Sequence, residues 1–70
     1  MNKIIIKNSH DFRNKAKEAV DQVLFYAYLF KEDYPLTEIE RKIIICEKKD
    51  KDELIDATCN KYEMEIVGLI

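Results

Sequence analysis

The hydrophobic residues of this chain follow two different periods, and the changes of period divide it into five predicted elements. Three consecutive isoleucines lie between lysines in residues 3–7, and residues 43–46 form a second β-branched run. Such runs are typical of strands that are central in a sheet or covered on both faces. We predict strands at residues 3–7, 41–48 and 65–70. Residues 36–40 either extend the second strand or form a short piece of their own.

A long helix is predicted between the first two strands. Its apolar residues recur at spacings of three and four, which keeps one face aligned for five turns. The members of this stripe are Phe12, Ala16, Ala19, Val20, Val23, Leu24, Ala27 and Phe30. Ser9 is suited to cap the helix because its hydroxyl can accept a bond from an orphan backbone N–H, and Asp11 favours the positive end of the helix dipole. The helix is predicted over residues 11–31, since Pro35 disfavours helix just before it.

A second, shorter helix is predicted before the last strand. Asp50, followed three residues later by Glu53, resembles a capping box. The apolar stripe of this helix consists of Leu54, Ile55, Thr58 and Tyr62, and the helix is predicted to end near Tyr62. The single glycine, Gly68, lies inside the last strand, where it indicates a bulge or a close backbone contact.

The order of elements, β-α-β-α-β, predicts a small α/β domain that resembles a two-layer α+β fold. Helical connections between successive strands favour a mainly parallel sheet of three strands, and right-handed crossovers place both helices on one face if the strand order is 1-2-3. We prefer that arrangement to the order 2-1-3, because the sheet is small and the stripe of the second helix is narrow. Ile5 and Ile44 would then lie on an open sheet face and need cover from a partner, which favours either dimerisation or the order 2-1-3.

Composition sets the class of protein. Residues 1–70 form a single domain that is 47% hydrophobic and 37% charged with a net charge of −2, as expected of an ordinary folded protein. Two cysteines allow at most one bridge, so we expect reduced thiols.

Neither a membrane-spanning segment of ~20 apolar residues nor a secretory signal is recognisable, and we expect a soluble, cytoplasmic protein without membrane contact. Ten lysines against two arginines, with ten isoleucines, hint at AT-rich coding and a bacterial or phage origin.

Candidate chemistry is concentrated at the carboxyl edge of the predicted sheet. Ser9 and His10 follow the first strand and Cys46 ends the second, and open α/β sheets usually bind ligands at that edge. Cys46 with His10 would be the one conceivable nucleophile and base, since the chain has a single histidine. The ordinary interpretation, a buried Cys46 and an exposed His10, is preferred, so we expect no enzymatic activity. A small-ligand or regulatory site at these three residues remains the alternative function.

Other ligand classes are not expected. His10, Cys46 and Cys59 are too few and too scattered for a structural zinc site, and we predict no metal and no cofactor. The pI of about 5.3 and the lack of aromatic residues in the predicted strands argue against nucleic acid as a partner.

Residues 23–30 carry the sharpest functional signal. They are eight uncharged residues that hold four of the seven aromatic side chains of the chain. In helical phase, Phe25, Tyr28 and Leu29 fall on the side opposite the core stripe, which we call the far side of the first helix. Either residues 31–40 or another part of the monomer covers them, or they form an intermolecular contact, most simply a twofold dimer. We therefore predict a non-enzymatic protein–protein interaction module, a homodimer that associates through Phe25, Tyr28 and Leu29.

Overall fold

The structure, a computed structural model, describes residues 2–69. In chain order the elements are β1 (Asn2–Asn8), α1 (Phe12–Asp33), β2 (Glu38–Cys46), a 3-10 turn (Lys48–Asp50), α2 (Glu53–Asn60) and β3 (Met64–Gly68). The predicted order β-α-β-α-β is confirmed, and residues 38–40 extend the second strand. Ile70, which the sequence assigns to the third strand, lies outside the described residues.

The three strands form one parallel sheet with the order β1-β2-β3. Ile6 pairs with Ile43 across β1 and β2, and Ile44 pairs with Ile66 across β2 and β3. The register between β1 and β2 shifts once, between Lys3 and Ile4. The small α/β fold is thus confirmed, with the strand order that places both helices on one face.

The hydrophobic core lies between this face of the sheet and the two helices. Its buried members come from every strand and both helices: Ile5, Phe12, Ala19, Val20, Val23, Ile44, Cys46, Cys59 and Met64. Ile5 and Ile44 are 6% and 0% exposed, so the expectation that they would lie on the open face is wrong. Side chains alternate along a strand, and the neighbours of these two isoleucines occupy the open face instead.

The start of α1 lies within one residue of the predicted one, but its capping residue differs. Asp11, not Ser9, is the N-cap residue, and it adopts a left-handed conformation with φ 54° and no side-chain bond to the helix backbone. The Ser9 N–H donates instead to the Ile45 carbonyl oxygen at 2.9 Å, which continues the pairing of β1 with β2. The Asp11 carboxylate accepts a bond from the Asn14 side chain at 2.9 Å. A kink follows at Lys15, whose φ of −121° is not helical.

Beyond the kink, α1 follows the predicted stripe to its end. Of the eight predicted stripe residues, four are buried and the other four are half-buried: Phe12, Ala19, Val20 and Val23, then Ala16, Leu24, Ala27 and Phe30. The Tyr34 N–H donates to the Phe30 carbonyl oxygen at 2.8 Å and closes the last turn just before Pro35.

The second helix begins two residues later than the predicted capping box. The Asp52 carboxylate caps α2 by accepting bonds from the backbone N–H groups of Leu54 and Ile55, at 2.8 and 3.4 Å. Asp50 lies in the 3-10 turn and is buried. Cys59 is the fully buried residue of α2, whereas Leu54 is 77% exposed and does not belong to the core.

Gly68 marks the close backbone contact that the sequence indicates. A Cβ atom at this position would lie 3.2 Å from the Lys48 Cα. The absent side chain therefore allows the 3-10 turn to pack directly on β3.

Candidate interaction surface

The far side of α1 is polar in its first half and apolar in its second. Lys17 and Asp21 form an exposed ion pair at 2.9 Å in the first half, and this hydrogen bond raises the pKa of Lys17. Two turns further on, Phe25, Tyr28 and Leu29 replace such polar residues. A pair of this kind stabilises an exposed helix only slightly. It shows that the far side of α1 is solvated up to Asp21.

Phe25, Tyr28 and Leu29 remain exposed in the monomer. Their exposed fractions are 63%, 61% and 45%. Single exposed apolar residues are common on protein surfaces, but three large ones within two turns of one helix form a continuous patch. The sequence left open whether another part of the monomer covers them, and in the described residues no such cover is present.

The loop after α1 is held against the end of the helix and away from this patch. The Tyr34 ring packs on the Phe30 ring with 4.9 Å between centroids. The Lys31 ammonium donates to the Thr37 carbonyl oxygen at 2.7 Å, and the Lys3 ammonium lies 5.4 Å from the centre of the Phe30 ring. The contacts of Tyr34 and Thr37 hold the loop near Phe30, on the core side of α1, and Phe25 stays exposed.

A groove of about 470 Å³ separates the first half of α1 from α2. It is lined by Ala16, Lys17, Val20, Asp21, Leu24, Leu54, Ile55, Thr58, Cys59 and Tyr62. With only eight residues, α2 is much shorter than the 22-residue α1. The second half of α1 therefore extends beyond α2, which leaves Tyr28 without a helical neighbour.

A second apolar surface lies on the side of the sheet opposite the helices, and we call it the open sheet face. Because Ile5, Ile44 and Ile66 face the core, alternation assigns the opposite face to the residues beside them. These are Ile4 and Ile6 on β1, Ile43 and Ile45 on β2, and Val67 on β3. The sequence predicted an open face but placed the wrong isoleucines on it. In a run of three isoleucines, residue type does not show which side chains face the helices and which face the other side of the sheet.

Arg41 and Glu65 form an ion pair on the open sheet face. The Arg41 guanidinium donates two hydrogen bonds of 2.8 Å to the Glu65 carboxylate. This bidentate contact lowers the pKa of Glu65 and raises that of Arg41. The pair is exposed, so it contributes little to folding stability.

The structure brings Ser9, His10 and Cys46 together at the carboxyl edge of the sheet, as predicted. They line a small cavity of about 280 Å³ with Asn8, Ile45 and Glu47. Cys46 is only 3% exposed, whereas His10 is exposed. Within residues 2–69 no hydrogen bond joins the two, although both line the same cavity.

The environment of Cys46 disfavours its thiolate. Burial is the largest cause that raises the pKa of this thiol, and the carboxylates of Asp50 and Asp56 raise it further. A reactive cysteine requires the opposite surroundings, partly exposed and electropositive. The volume of the cavity is at the lower end of the roughly 300–1,000 Å³ of ordinary ligand sites.

A buried carboxylate, Asp50, and a half-buried one, Asp56, lie near this edge. Asp56 forms an ion pair with Lys51, and Asp50 is 6% exposed in the 3-10 turn. Asp50 Oδ2 and Asp56 Oδ1 are buried atoms that accept no hydrogen bond from residues 2–69. Even so, no group of three or more potential ligands among residues 2–69 is arranged to hold a metal ion.

Neither a family model, a curated protein nor a solved structure matches this chain significantly. Among residues 2–69, α1 and α2 both lack the length or the apolar character to cross a bilayer.

Proposed function

We propose that this protein is a non-enzymatic protein–protein interaction module that self-associates through the far side of α1. The observation that carries the proposal is the exposure of Phe25, Tyr28 and Leu29 together on the far side of α1, whose preceding turns are polar on that side. Exposed apolar patches are characteristic of contact sites. Phe and Tyr are also enriched at protein interfaces, where they combine a large apolar area with few rotatable bonds.

A twofold contact between two copies of α1 matches the arrangement of this patch. In an antiparallel pair whose axis passes at the level of Ala27, Phe25 of one copy lies opposite Leu29 of the other, and the same pairing recurs across the axis. Each Phe25 would thus contact an apolar residue. The ion pair of Lys17 with Asp21 is one to two turns away, at the rim of the contact.

Ligand binding at the carboxyl edge is the weaker alternative. Cys46 is buried with a raised pKa, and the cavity beside it is small. By contrast, the patch on α1 needs no rearrangement to make a contact. For the same reason we do not propose a thiol enzyme.

Light scattering behind a sizing column tests the proposal. The double variant Phe25→Asp, Leu29→Asp adds two carboxylates to the patch and is expected to lower the mass of the assembly, because burying unpaired charge at an interface is costly. Lys15→Glu is the matched control: it changes the net charge by the same two units on the polar half of α1, and its mass should equal that of the parent. A double variant that remains folded and keeps the parent's mass would refute this contact.

A further inference from the structure

We propose that the outer edge of β1 binds an extended segment of a protein partner, which adds a fourth strand to the sheet and carries acidic residues on both sides of an apolar one. This site is independent of self-association through α1, because it lies at the edge of the sheet. In the order β1-β2-β3, β1 pairs with β2 alone. Its other side therefore presents unpaired backbone N–H and C=O groups to a further strand.

The outward backbone groups of β1 belong to Ile4, Ile6 and Asn8. The Ser9 N–H faces β2, since it donates to the Ile45 carbonyl oxygen at 2.9 Å. The backbone groups of successive residues in a strand point to opposite sides, so every second residue before Ser9 faces β2 and the residues between them face outward. Outside the ladder of the sheet, no backbone bond within residues 2–69 reaches these three residues. A strand placed about 4.8 Å from β1 would pair with them.

A groove of about 420 Å³ runs along this edge, between β1 and α1. Ile5 and Val23 form its apolar floor, and the exposed Tyr26 ring lines its α1 side. The volume lies within the roughly 300–1,000 Å³ of ordinary ligand sites. Because side chains alternate along a strand, the residue of an added strand that lies beside Ile5 would place its side chain in this groove. Strand addition of this kind takes its affinity from main-chain hydrogen bonds and its specificity from such pockets.

Lysines lie at both ends of the groove. Lys3 and Lys7 line it together with Ile5, and alternation places all three on the helix side of β1. The Lys3 ammonium accordingly lies over the Phe30 ring of α1. The two lysines are four residues apart, which is ~13 Å at about 3.3 Å per residue. This is also the separation of the first and fifth residues of an added strand, so carboxylates at those two positions would lie beside the lysines.

The charge around the groove is positive. Neither Lys3 nor Lys7 forms an ion pair within the described part of the chain. Glu18 lines a neighbouring cavity with Lys7, but Lys15 lines the same cavity and offsets its charge. An acidic segment therefore complements this edge, whereas a basic one would be repelled.

The same lysines disfavour a second copy of β1 as the added strand. In an antiparallel pair of two β1 strands that matches Ile4 with Ile6, Lys3 of each copy lies directly opposite Lys7 of the other. Like charges directly opposite each other destabilise a strand pair, and edge lysines are one means by which natural sheets avoid pairing with themselves. This edge therefore favours an acidic strand over a copy of itself.

These positions define the chemistry of the partner segment. Asp or Glu lies beside each lysine, and an apolar residue beside Ile5 fills the groove. The two residues between them project beside Ile4 and Ile6, which are 43% and 59% exposed on the open sheet face, so they are apolar too. The segment is thus the charge-reversed counterpart of residues 3–7. Because the contact is short and the segment must become ordered, we expect weak and rapidly reversible binding.

Nuclear magnetic resonance of the labelled protein tests this site with a synthetic peptide, Ser-Glu-Val-Val-Val-Glu-Ser. The peptide is expected to shift the amide signals of Ile4, Ile6 and Asn8 to saturation, and to slow hydrogen exchange of these amides, because they become hydrogen-bonded. The matched control peptide has lysine at both glutamate positions and should bind at least about tenfold more weakly, since it exchanges two attractions for two repulsions. A third peptide, methylated on the backbone nitrogens of its three valines, keeps the side chains and should not bind.

The variant Lys3→Glu, Lys7→Glu reverses the charge at both ends of the groove. It should prefer the lysine peptide to the glutamate peptide. The variant Lys49→Glu, Lys61→Glu is its matched control: it changes the net charge equally at exposed residues that do not line the groove, and it should keep the parent's preference. The variant Phe25→Asp, Leu29→Asp should bind the glutamate peptide like the parent, which separates this site from the contact on α1.

The peptide series on the parent protein decides the outcome even if a variant does not fold. Equal binding of the glutamate and lysine peptides would overturn the charge match, and equal binding of the methylated peptide would overturn strand addition. The site is also refuted if the glutamate peptide does not bind, or shifts only residues away from β1 and the groove. If the outward amides of β1 are protected from exchange without peptide and lose this protection on dilution, a second copy occupies the edge instead.

Discussion

The Arg41 guanidinium on β2 donates two hydrogen bonds of 2.8 Å to the Glu65 carboxylate on β3, on the face opposite the helices. The two residues belong to adjacent strands, and their side chains project beside the isoleucines of the open sheet face. The two opposite charges therefore form one neutral group beside those isoleucines.

The first prediction concerns the titration of Glu65. The bond from Arg41 lowers the pKa of Glu65 in the folded protein, so the pair stabilises the fold above the pKa of the unfolded chain and loses this effect as pH falls through the folded pKa. Chemical-shift titration of the Glu65 carboxyl carbon should show a midpoint below its ordinary value. In Arg41→Gln the midpoint should return upward; equal midpoints in parent and variant would contradict the pairing.

The second prediction separates the two faces of β2. Ile44 is fully buried beneath the helices, and Ile45, its neighbour in sequence, lies on the open sheet face. Ile44→Val should lower the free energy of unfolding by about 0.5–1.5 kcal/mol, because it leaves a small cavity, and Ile45→Val should lower it less. Urea unfolding at concentrations where the chain is monomeric measures both. A larger loss for Ile45→Val would reverse the assigned faces.

These two isoleucines also show where sequence reasoning fails. In a helix, polar residues separate the apolar ones at regular intervals, so the sequence itself shows which residues share a face. The core face of α1 was therefore predicted correctly from Phe12 to Phe30. In Ile43, Ile44 and Ile45 no polar residue marks the alternation, so the run predicts a strand but not which side chains face the helices. The phase is set by contacts with α1 and α2 that are distant in sequence.

The capping residues of the two helices were predicted wrongly for a different reason. Ser9, Asp11, Asp50 and Asp52 are all good capping residues by type, and their local sequence does not rank them. Ser9 does not cap α1, because it continues the pairing of β1 with β2 by donating its N–H to the Ile45 carbonyl oxygen. Asp50 does not cap α2, because it lies in the 3-10 turn. The position of Phe25 and Leu29 on the far side was predictable, because it depends on helical phase alone. Their exposure was not, because it depends on where the loop after α1 packs.

The third prediction concerns the thiols. Burial is the largest cause that raises the pKa of both Cys46 and Cys59, so at pH 7 each is expected to react with iodoacetamide much more slowly in the folded protein than in the urea-unfolded chain. Mass spectrometry of the alkylated peptides follows each cysteine separately, and Cys59 serves as the internal comparison. If Cys46 in the folded protein reacts faster than in the unfolded chain, it is an activated nucleophile after all.

The fourth prediction concerns Gly68. A Cβ atom there would come within 3.2 Å of the Lys48 backbone, so Gly68→Val should force the 3-10 turn away from β3. Overpacking of this kind costs about 1–3 kcal/mol. Thermal unfolding should rank the parent above Gly68→Ala and Gly68→Ala above Gly68→Val. A Gly68→Val variant as stable as the parent would show that the turn moves freely.

The last prediction tests the start of α2. The Asp52 side chain accepts a bond from the Leu54 N–H at 2.8 Å, and losing such a cap costs about 1 kcal/mol. Asp52→Ala should lower the free energy of unfolding by that amount in urea. Asp52→Asn is the control, because it keeps the accepting oxygen and removes only the favourable charge at the helix N-terminus, so its loss should be smaller. Equal losses in the two variants would mean that charge, and not the hydrogen bond, holds the start of α2.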